Sequence, residues 1–97
     1  MKITLMKFGA KWCGPCADLA KAKTLEKFAK EHPEVKVEIH DDNAAGTSKK
    51  WSDLADEYKV SNLPTLVWVY DGEVLLKSTN VGAAAIEGQY KKVRARL

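Results

Sequence analysis

The residues with the clearest capacity for chemistry are two cysteines, Cys13 and Cys16, which are separated by two residues. They follow a short apolar segment and precede a stretch of helical periodicity, so we expect them at the junction of a strand and a helix. This spacing allows a disulfide within one helical turn. Cys13 would lie at the helix N-terminus, where the helix dipole and the free N–H groups favour the thiolate over the thiol.

Thiolates exchange with disulfides, and this chemistry gives the two cysteines different expected roles. A thiolate at Cys13 can attack a substrate disulfide and form a mixed disulfide. Cys16, a turn further into the helix, is then the resolving thiol that attacks Cys13 and releases the reduced substrate. Gly14 and Pro15 should shift the balance between dithiol and disulfide, because proline stiffens the loop and removes a hydrogen-bond donor.

Two non-catalytic interpretations of the cysteines are less favourable. A static disulfide across this gap would stabilise the fold little, since the loop that it closes is short. A structural zinc ion would need further ligands, and His32 and His40 lie on the far side of the first helix or in the next strand. We therefore expect no metal site, and we expect both histidines at the surface.

Hydrophobic periodicity predicts an α/β protein in which strands and helices alternate before a closing hairpin. Asp71-Gly72 is typical of a hairpin turn, and early strands joined through helices imply right-handed parallel crossovers. The predicted order is βαβαββα in a single domain over residues 1–97, with one four-stranded mixed sheet and helices on both faces. The predicted strands cover residues 2–8, 35–40, 65–70 and 73–77, and the predicted helices cover residues 14–30, 47–58 and 83–97.

The composition argues against several classes of protein. Hydrophobic residues make up 45% of the sequence, as in soluble globular proteins, and the formal net charge is only +3. The basic cluster of residues 91–96 complements the dipole of a terminal helix, so we expect no nucleic-acid partner. The apolar runs are too short to span a membrane and the first residues leave no room for a signal peptide, so we expect a cytoplasmic protein.

Several segments resemble thioredoxins, and they occur in that family's order. The segment Phe8-Gly9-Ala10-Lys11-Trp12-Cys13-Gly14-Pro15-Cys16 is similar to the thioredoxin active-site segment, including its tryptophan. The segment Val60-Ser61-Asn62-Leu63-Pro64-Thr65-Leu66 resembles the part of the family that contains a cis proline facing the disulfide. Asp71-Gly72 matches the hairpin that follows, and Val81-Gly82-Ala83 with Gly88-Gln89 resembles the final turn and helix.

This resemblance implies a thioredoxin-like fold and a protein-disulfide reductase without a bound cofactor. Cys13 and Cys16 would form the redox-active disulfide, and Pro64 would be cis, with Leu63 offering backbone groups to an extended substrate. The implied partners are protein disulfides and, as electron donor, a thioredoxin reductase. Since the docking groove is the only apolar patch expected at the surface, we expect a monomer. The residues expected to line that groove are Trp12, Leu63, Pro64, Val81 and Gly82.

One part of the pattern departs from the family in its chemistry. Lys7 stands where thioredoxins have a buried aspartate, and Gly9 stands where they have a tryptophan. In the family, that carboxylate is thought to help deprotonate the resolving cysteine. Our hypothesis is that Lys7 is half-buried, pairs with Glu38 on the neighbouring strand and favours the thiolate of Cys16. The alternative is that Lys7 extends to solvent and does not affect the thiols.

Two other functions remain open on the sequence alone. A glutaredoxin-like protein reduced by glutathione is suggested by the small fold. Against it, Gly14-Pro15 differs from the residues typical of glutaredoxins, and no cationic pattern for the carboxylates of glutathione is evident. A binding module that keeps the fold without turnover is the second alternative, and the intact cysteine pair argues against it.

Overall fold

The strands and helices follow the order expected from the sequence. A computed structural model of the chain describes residues 2–10, 13, 14, 16, 23–42, 49–79, 82 and 84–97. No helix in this described part of the chain is both long and apolar enough to cross a lipid bilayer. The elements are β1 (Ile3–Ala10), α1 (Thr24–Glu31), β2 (Val35–Asp42), α2 (Lys49–Glu57), β3 (Thr65–Tyr70), β4 (Glu73–Thr79) and α3 (Ala85–Ala95).

The four strands form one mixed sheet in the order β2-β1-β3-β4. β1 pairs parallel with β2 and antiparallel with β3, and β3 pairs antiparallel with β4. The β3–β4 turn uses Asp71 and Gly72 with φ angles of 52° and 78°. Such positive φ values match the twist of the flanking strands in a two-residue hairpin. The predicted βαβαββα order and four-stranded mixed sheet are confirmed.

Helices cover both faces of the sheet, as predicted, because side chains alternate along the interior strand β1. On one face, Ile3 and Leu5 pack with apolar residues of α1 and α3. On the other face, Met6 and Phe8 pack with Ala55 of α2 and its neighbours. The side chains that complete the first core are Leu25, Phe28, Ile86, Tyr90 and Val93, and those that pack against the second include Trp51, Leu54 and Tyr58.

Trp68 ties β3 to the C-terminal part of the fold. Its side chain is fully buried, and its indole N–H donates to Gln89 Oε1 at 2.8 Å. The amide of Gln89 donates in turn to Ser78 Oγ of β4 at 2.8 Å. The ring of Phe28 meets Trp68 edge to face, with ring centroids 5.8 Å apart. The one polar atom of this large buried ring is therefore paired, as burial requires.

Two boundaries differ from the sequence-based prediction. Gly14 and Cys16 have helical conformation, but Lys23 has a φ of 52° in the left-handed region and α1 begins only after it. The single helix predicted over residues 14–30 is therefore wrong, because a left-handed residue interrupts the helical path. The first two strands are also longer than predicted: β1 continues to Ala10 and β2 to Asp42, where the sequence predicted loops. Backbone pairing between the two strands extends both of them toward the end of the sheet at which the cysteines lie.

Candidate functional site

Cys13 and Cys16 form a disulfide at the carboxyl end of β1. Their Cα atoms are 5.2 Å apart, within the ordinary range for such a bond. Cys13 is held just beyond the strand by its backbone N–H, which donates to Ala10 O at 3.2 Å. Cys13 is 9% exposed and Cys16 is 2% exposed. An incoming disulfide can therefore reach Cys13 more readily than Cys16.

The local backbone favours negative charge on the sulfur of Cys13. The N–H of Cys16 donates to Cys13 Sγ at 3.3 Å. Gly14 and Cys16 already have helical conformation, so the Cys13 sulfur lies beside the first N–H groups of a helical turn. The first N–H groups of a helix have no partner within the helix, and the N–H of Cys16 uses the Cys13 sulfur as its acceptor. A thiolate gains more from such donors than a thiol does, which is the direction that nucleophilic attack requires.

The segment before β3 completes the surroundings of the disulfide. Leu63 packs against the cluster of Ala10, Cys13 and Cys16. The Leu63–Pro64 peptide bond is cis, and Pro64 is buried while Leu63 is half-buried. The structure thus brings together the cysteines and the Leu63-Pro64 segment that the sequence predicted to be their neighbour.

The other predicted site residues are only partly described. Gly14 and Gly82 are exposed, and a side-chain carbon added at either would meet no atom within 4 Å. Gly82 O also accepts the N–H of Ala85 at 3.1 Å, which anchors it to the start of α3. Three residues predicted to support or line the site lie outside the described part of the chain: Trp12, Pro15 and Val81.

Lys7 forms a buried ion pair with Asp41 of β2. Lys7 Nζ lies 2.8 Å from Asp41 Oδ1, and the side chains are 2% and 32% exposed, respectively. The alternative in which Lys7 extends to solvent is therefore wrong. The pair is asymmetric, because its positive end is inside the protein and its negative end is near the surface. Loss of Asp41 would leave a buried charge uncompensated, whereas loss of Lys7 would not.

The predicted pairing of Lys7 with Glu38 is also wrong, and the sheet register explains why. Lys7 is level with Ile39 and Met6 is level with Glu38. Because side chains alternate between faces, Glu38 lies on the Met6 face, opposite to Lys7. Glu38 instead contacts His40 Nε2 at 3.0 Å and Lys36 Nζ at 3.2 Å. Burial raises the pKa of Glu38, but these hydrogen bonds and charges lower it by more, so the pKa lies below its ordinary value.

Gly9 makes room for the Lys7–Asp41 pair. A side-chain carbon at Gly9 would lie 2.7 Å from Asp41 Oδ1, 3.0 Å from Lys7 Cε and 3.2 Å from Lys7 Nζ. The Lys7 side chain therefore extends along β1 past Gly9, on the face of the sheet that it shares with Asp41. Sequence reasoning missed Asp41 and the role of Gly9. The available signal was the coincidence of a lysine and a glycine at positions where the family has an acid and a tryptophan.

A second polar cluster lies at the opposite end of the strands from the cysteines, where β2 begins. His32 Nε2 is 3.0 Å from Glu87 Oε1, and its Nδ1 is 3.3 Å from Glu34 Oε2. Tyr90 Oη donates to Glu34 at 2.5 Å. Glu31, His32 and Glu87 also place donor atoms within 4.8 Å of one another, a spacing that one metal ion could bridge. Both ring nitrogens already face carboxylates, so a protonated His32 satisfies this cluster without an ion.

This cluster makes fold stability depend on pH. Burial lowers the pKa of His32, but hydrogen bonds and charges from Glu87 and Glu34 raise it more, to above its ordinary value. Because the pKa of His32 is higher in the folded protein than in the unfolded chain, its protonation stabilises the fold. This contribution is complete at pH values below the unfolded pKa of about 6.5 and is lost as the pH rises through the folded pKa. In urea unfolding, the stability advantage of wild type over His32→Asn should be larger at about pH 5.5 than at about pH 8.5.

The partner acids provide the control for that measurement. The hydrogen bond from Tyr90 is the largest effect on Glu34, and the pKa of Glu34 lies below its ordinary value. Glu34 therefore remains a carboxylate at the lower pH. Glu87→Gln removes a charge that raises the pKa of His32. With Gln at position 87, the stability difference between His32 and His32→Asn should therefore change less between the two pH values. An equal advantage of wild type over His32→Asn at both pH values would contradict the assignment of His32 as the titrating group.

Comparisons with known proteins point to one family. The sequence model of the Thioredoxin family matches residues 1–94 of this chain. Thioredoxin-1 of Saccharomyces cerevisiae is 31% identical over 86 residues, which cover 89% of this chain and 76% of the yeast protein. Mitochondrial thioredoxin of Mus musculus is 38% identical over 81 residues, covering 79% of this chain and 42% of the mouse protein. The crystal structure of thioredoxin from Trypanosoma brucei brucei superposes with a TM-score of 0.70 at 30% identity, covering 97% of this chain and 74% of that one.

Proposed function

The chain belongs to the thioredoxin family and is a thiol–disulfide oxidoreductase, and we propose that it reduces protein disulfides with Cys13 as the attacking thiolate and Cys16 as the resolving thiol. The observation that supports these roles most directly is the geometry of the pair. Cys13 is the more exposed sulfur and accepts an N–H hydrogen bond, whereas Cys16 is buried within disulfide-bonding distance behind it.

The proposed reaction is two successive exchanges. The Cys13 thiolate attacks one sulfur of the substrate disulfide, forms a Cys13–substrate disulfide and releases the other substrate sulfur as a thiolate. Deprotonated Cys16 then attacks Cys13 Sγ, which forms the intrachain disulfide and releases the second substrate sulfur. The substrate gains two electrons and two protons, and the protein loses two electrons. A reductase must return those electrons before the next turnover.

The substrate groove is proposed beside Cys13, around Leu63, Pro64 and Gly82. Leu63 contacts the cysteine cluster and its backbone precedes a buried proline that has no N–H. An extended substrate can pair with main-chain groups there as an added strand, which demands little of its sequence. The exposed Gly82 permits close approach from the other side, and Trp12 and Val81 would complete the groove by their resemblance to the family.

Lys7 is proposed as a positioning residue for the second exchange. Its ammonium is buried, held by Asp41 and beside Gly9, toward the end of β1 after which Cys13 follows. A buried cation at this end of the strand would favour the Cys16 thiolate that must attack the mixed disulfide. The role that a carboxylate is thought to have in the family would then be taken by a cation with its own counter-ion.

The experiment that tests the function measures insulin reduction with two electron sources. Thioredoxins act on protein disulfides, generally with thioredoxin reductase. We expect rapid insulin reduction with NADPH and a thioredoxin reductase, and little with NADPH, glutathione and glutathione reductase. Protein whose two thiols have been alkylated is the control. Activity only with glutathione would favour the glutaredoxin-like alternative, and no reduction with either donor would favour a binding module.

The proposed compartment is the cytoplasm. A reducing compartment returns the cysteine pair to the dithiol form between turnovers, as this activity requires.

A further inference from the structure

We propose that the outer edge of β2 docks a second copy of this chain, with the two β2 strands antiparallel and centred on Val37, so that two four-stranded sheets become one continuous sheet. Within the described part of the chain β2 is an edge strand, because β1 is its one neighbour in the sheet. It pairs with β1 in an unbroken register over eight residues, so its free edge is straight. Long, straight edges are templates for strand pairing.

The middle of this edge is open among the described residues. At one end, the N–H of Val35 donates to His32 O at 2.9 Å. At the other end, His40 O accepts the indole N–H of Trp51 at 2.9 Å. Backbone groups of successive residues point to alternate sides of a strand, so half of those in residues 36–39 face away from β1. Apart from the ladder with β1, no backbone hydrogen bond within the described ranges reaches these four residues. Ile39 is 45% exposed, so an apolar side chain lies in solvent beside the open backbone.

The other edge strand, β4, is protected against pairing with a further strand, unlike β2. β4 pairs with β3 through a register shift between Trp68 and Val69, and such irregularities twist an edge away from partners. The guanidinium of Arg96 donates to Leu75 O of β4. Lys77 Nζ donates to Lys59 O at 3.0 Å and brings a charge to that edge. The middle of β2, in the part of the chain that the structure describes, has no register shift and no side chain that donates to its backbone. The charges that it does carry, Lys36 and Glu38, have opposite signs.

Side-chain pattern selects the second copy as the occupant. With two antiparallel β2 strands centred on Val37, Lys36 of each copy lies opposite Glu38 of the other on one face of the sheet. On the other face, Val37 meets Val37, and Val35 meets Ile39. Opposite charges and apolar pairs placed directly across strands stabilise pairing. The β2 edge is therefore complementary to itself, as a twofold interface requires.

Neighbouring registers are less favourable. In a paired sheet each side chain must stay on its own face. The twofold axis between the two β2 strands must therefore lie level with a residue, and the alternatives to Val37 are the residues next to it. Centring on Lys36 or on Glu38 places that charge opposite its own copy. Centring on Ile39 places Val37 opposite Asp41, which already binds Lys7, and extends the pairing toward the backbone that Trp51 occupies. Only the register centred on Val37 pairs every charge and every apolar side chain of the segment.

The test is sedimentation velocity of the full chain under reducing conditions, from about 10 µM to about 1 mM protein. We expect a concentration-dependent dimer in wild type. Lys36→Glu and Glu38→Lys each place like charges opposite at both symmetric positions, so each should weaken the dimer by about tenfold or more. The double variant Lys36→Glu/Glu38→Lys should restore it, because the exchange recreates both opposite-charge pairs in this register alone.

Val74→Lys is the matched control, since Val74 is 44% exposed on the protected edge and should leave the dimer unchanged. A wild type that stays monomeric over the whole concentration range would overturn the proposal. So would a dimer that survives the single reversals, or one that the double variant fails to restore. A dimer that forms only when reductant is left out would assign the contact to the cysteines and would also overturn the proposal. Insulin reduction by the monomeric variants separates this outcome from the proposed activity, which should persist.

Discussion

Replacing Cys16 with serine is expected to convert the protein from a catalyst into a trap for its substrates. The Cys13 thiolate would still attack a protein disulfide, but no second thiol would remain to attack the mixed disulfide. Turnover should stop after one exchange, and the covalent adduct should accumulate in proportion to the protein added. Intact-mass spectrometry of the reaction with insulin, quenched in acid, measures the adduct directly.

Cys13→Ser is the matched control because it removes the other sulfur. Cys16 is 2% exposed, so a substrate disulfide should not reach it and no adduct should form. Both variants should lose insulin reduction, and only Cys16→Ser should form the adduct. Equal adducts with both variants, or an adduct only with Cys13→Ser, would show that the assignment of attacking and resolving thiols is wrong.

Removing Asp41 should destabilise the fold far more than removing Lys7. Asp41→Ala leaves the Lys7 ammonium buried without a counter-charge, and breaking a buried pair in this way costs about 3 kcal/mol or more in the free energy of unfolding. Lys7→Met replaces the buried cation with an apolar chain of similar length and leaves a carboxylate that can reach water. That change should be neutral or stabilising. Urea unfolding of the reduced proteins measures both.

Two further variants test whether loss of any carboxylate destabilises the fold and whether the Lys7–Asp41 pair needs the space that Gly9 leaves. Asp53 is exposed on α2, so Asp53→Ala should change the free energy of unfolding by about 0.5 kcal/mol or less. Gly9→Ala should destabilise the fold, since its side-chain carbon would occupy the space between Asp41 and Lys7. If Asp41→Ala and Lys7→Met destabilise equally, the asymmetry inferred from their burial is incorrect.

The same Lys7 variant tests the proposed influence on the thiols. If the buried ammonium favours the Cys16 thiolate, Lys7→Met should raise the apparent pKa of the Cys16 thiol and shift the pH dependence of insulin reduction to higher pH. Thiolate absorbance measured against pH in the reduced protein gives the first quantity. An unchanged titration would restrict Lys7 to a structural role. The stability comparison with Asp41→Ala would still hold.

The order of elements was predictable because it depends on local signals. Alternation of apolar residues marked β2, and residues with strong strand preference marked β3. Asp71-Gly72 marked the hairpin between β3 and β4, since few residue pairs adopt positive φ without strain. Helix boundaries were less predictable. Lys23 has a left-handed conformation that its residue type does not favour, so no local signal in the sequence marks where α1 begins.

The lengths of β1 and β2 depended on each other. Gly9, Ala10 and Asp41 have weak strand preferences, and the sequence predicted loops there. In the structure each strand extends because the other supplies its hydrogen-bond partners, up to the pairing of Ala10 with Asp42. Pairing between segments separated by some thirty residues cannot be deduced from the local preferences of either one.

The cysteine pair shows what the sequence by itself determined about this protein. Two thiols at a strand–helix junction specify disulfide exchange, because their spacing and the helix N-terminus act over a few residues. The tertiary structure decided which charges pair between the neighbouring strands. The register of β1 against β2 turned Glu38 to the opposite face and brought Asp41 to Lys7, and only packing across the whole sheet determines a register. The same packing brought Arg96 to the β4 edge, whereas, apart from the ladder with β1, no described residue donates to the backbone along the middle of β2.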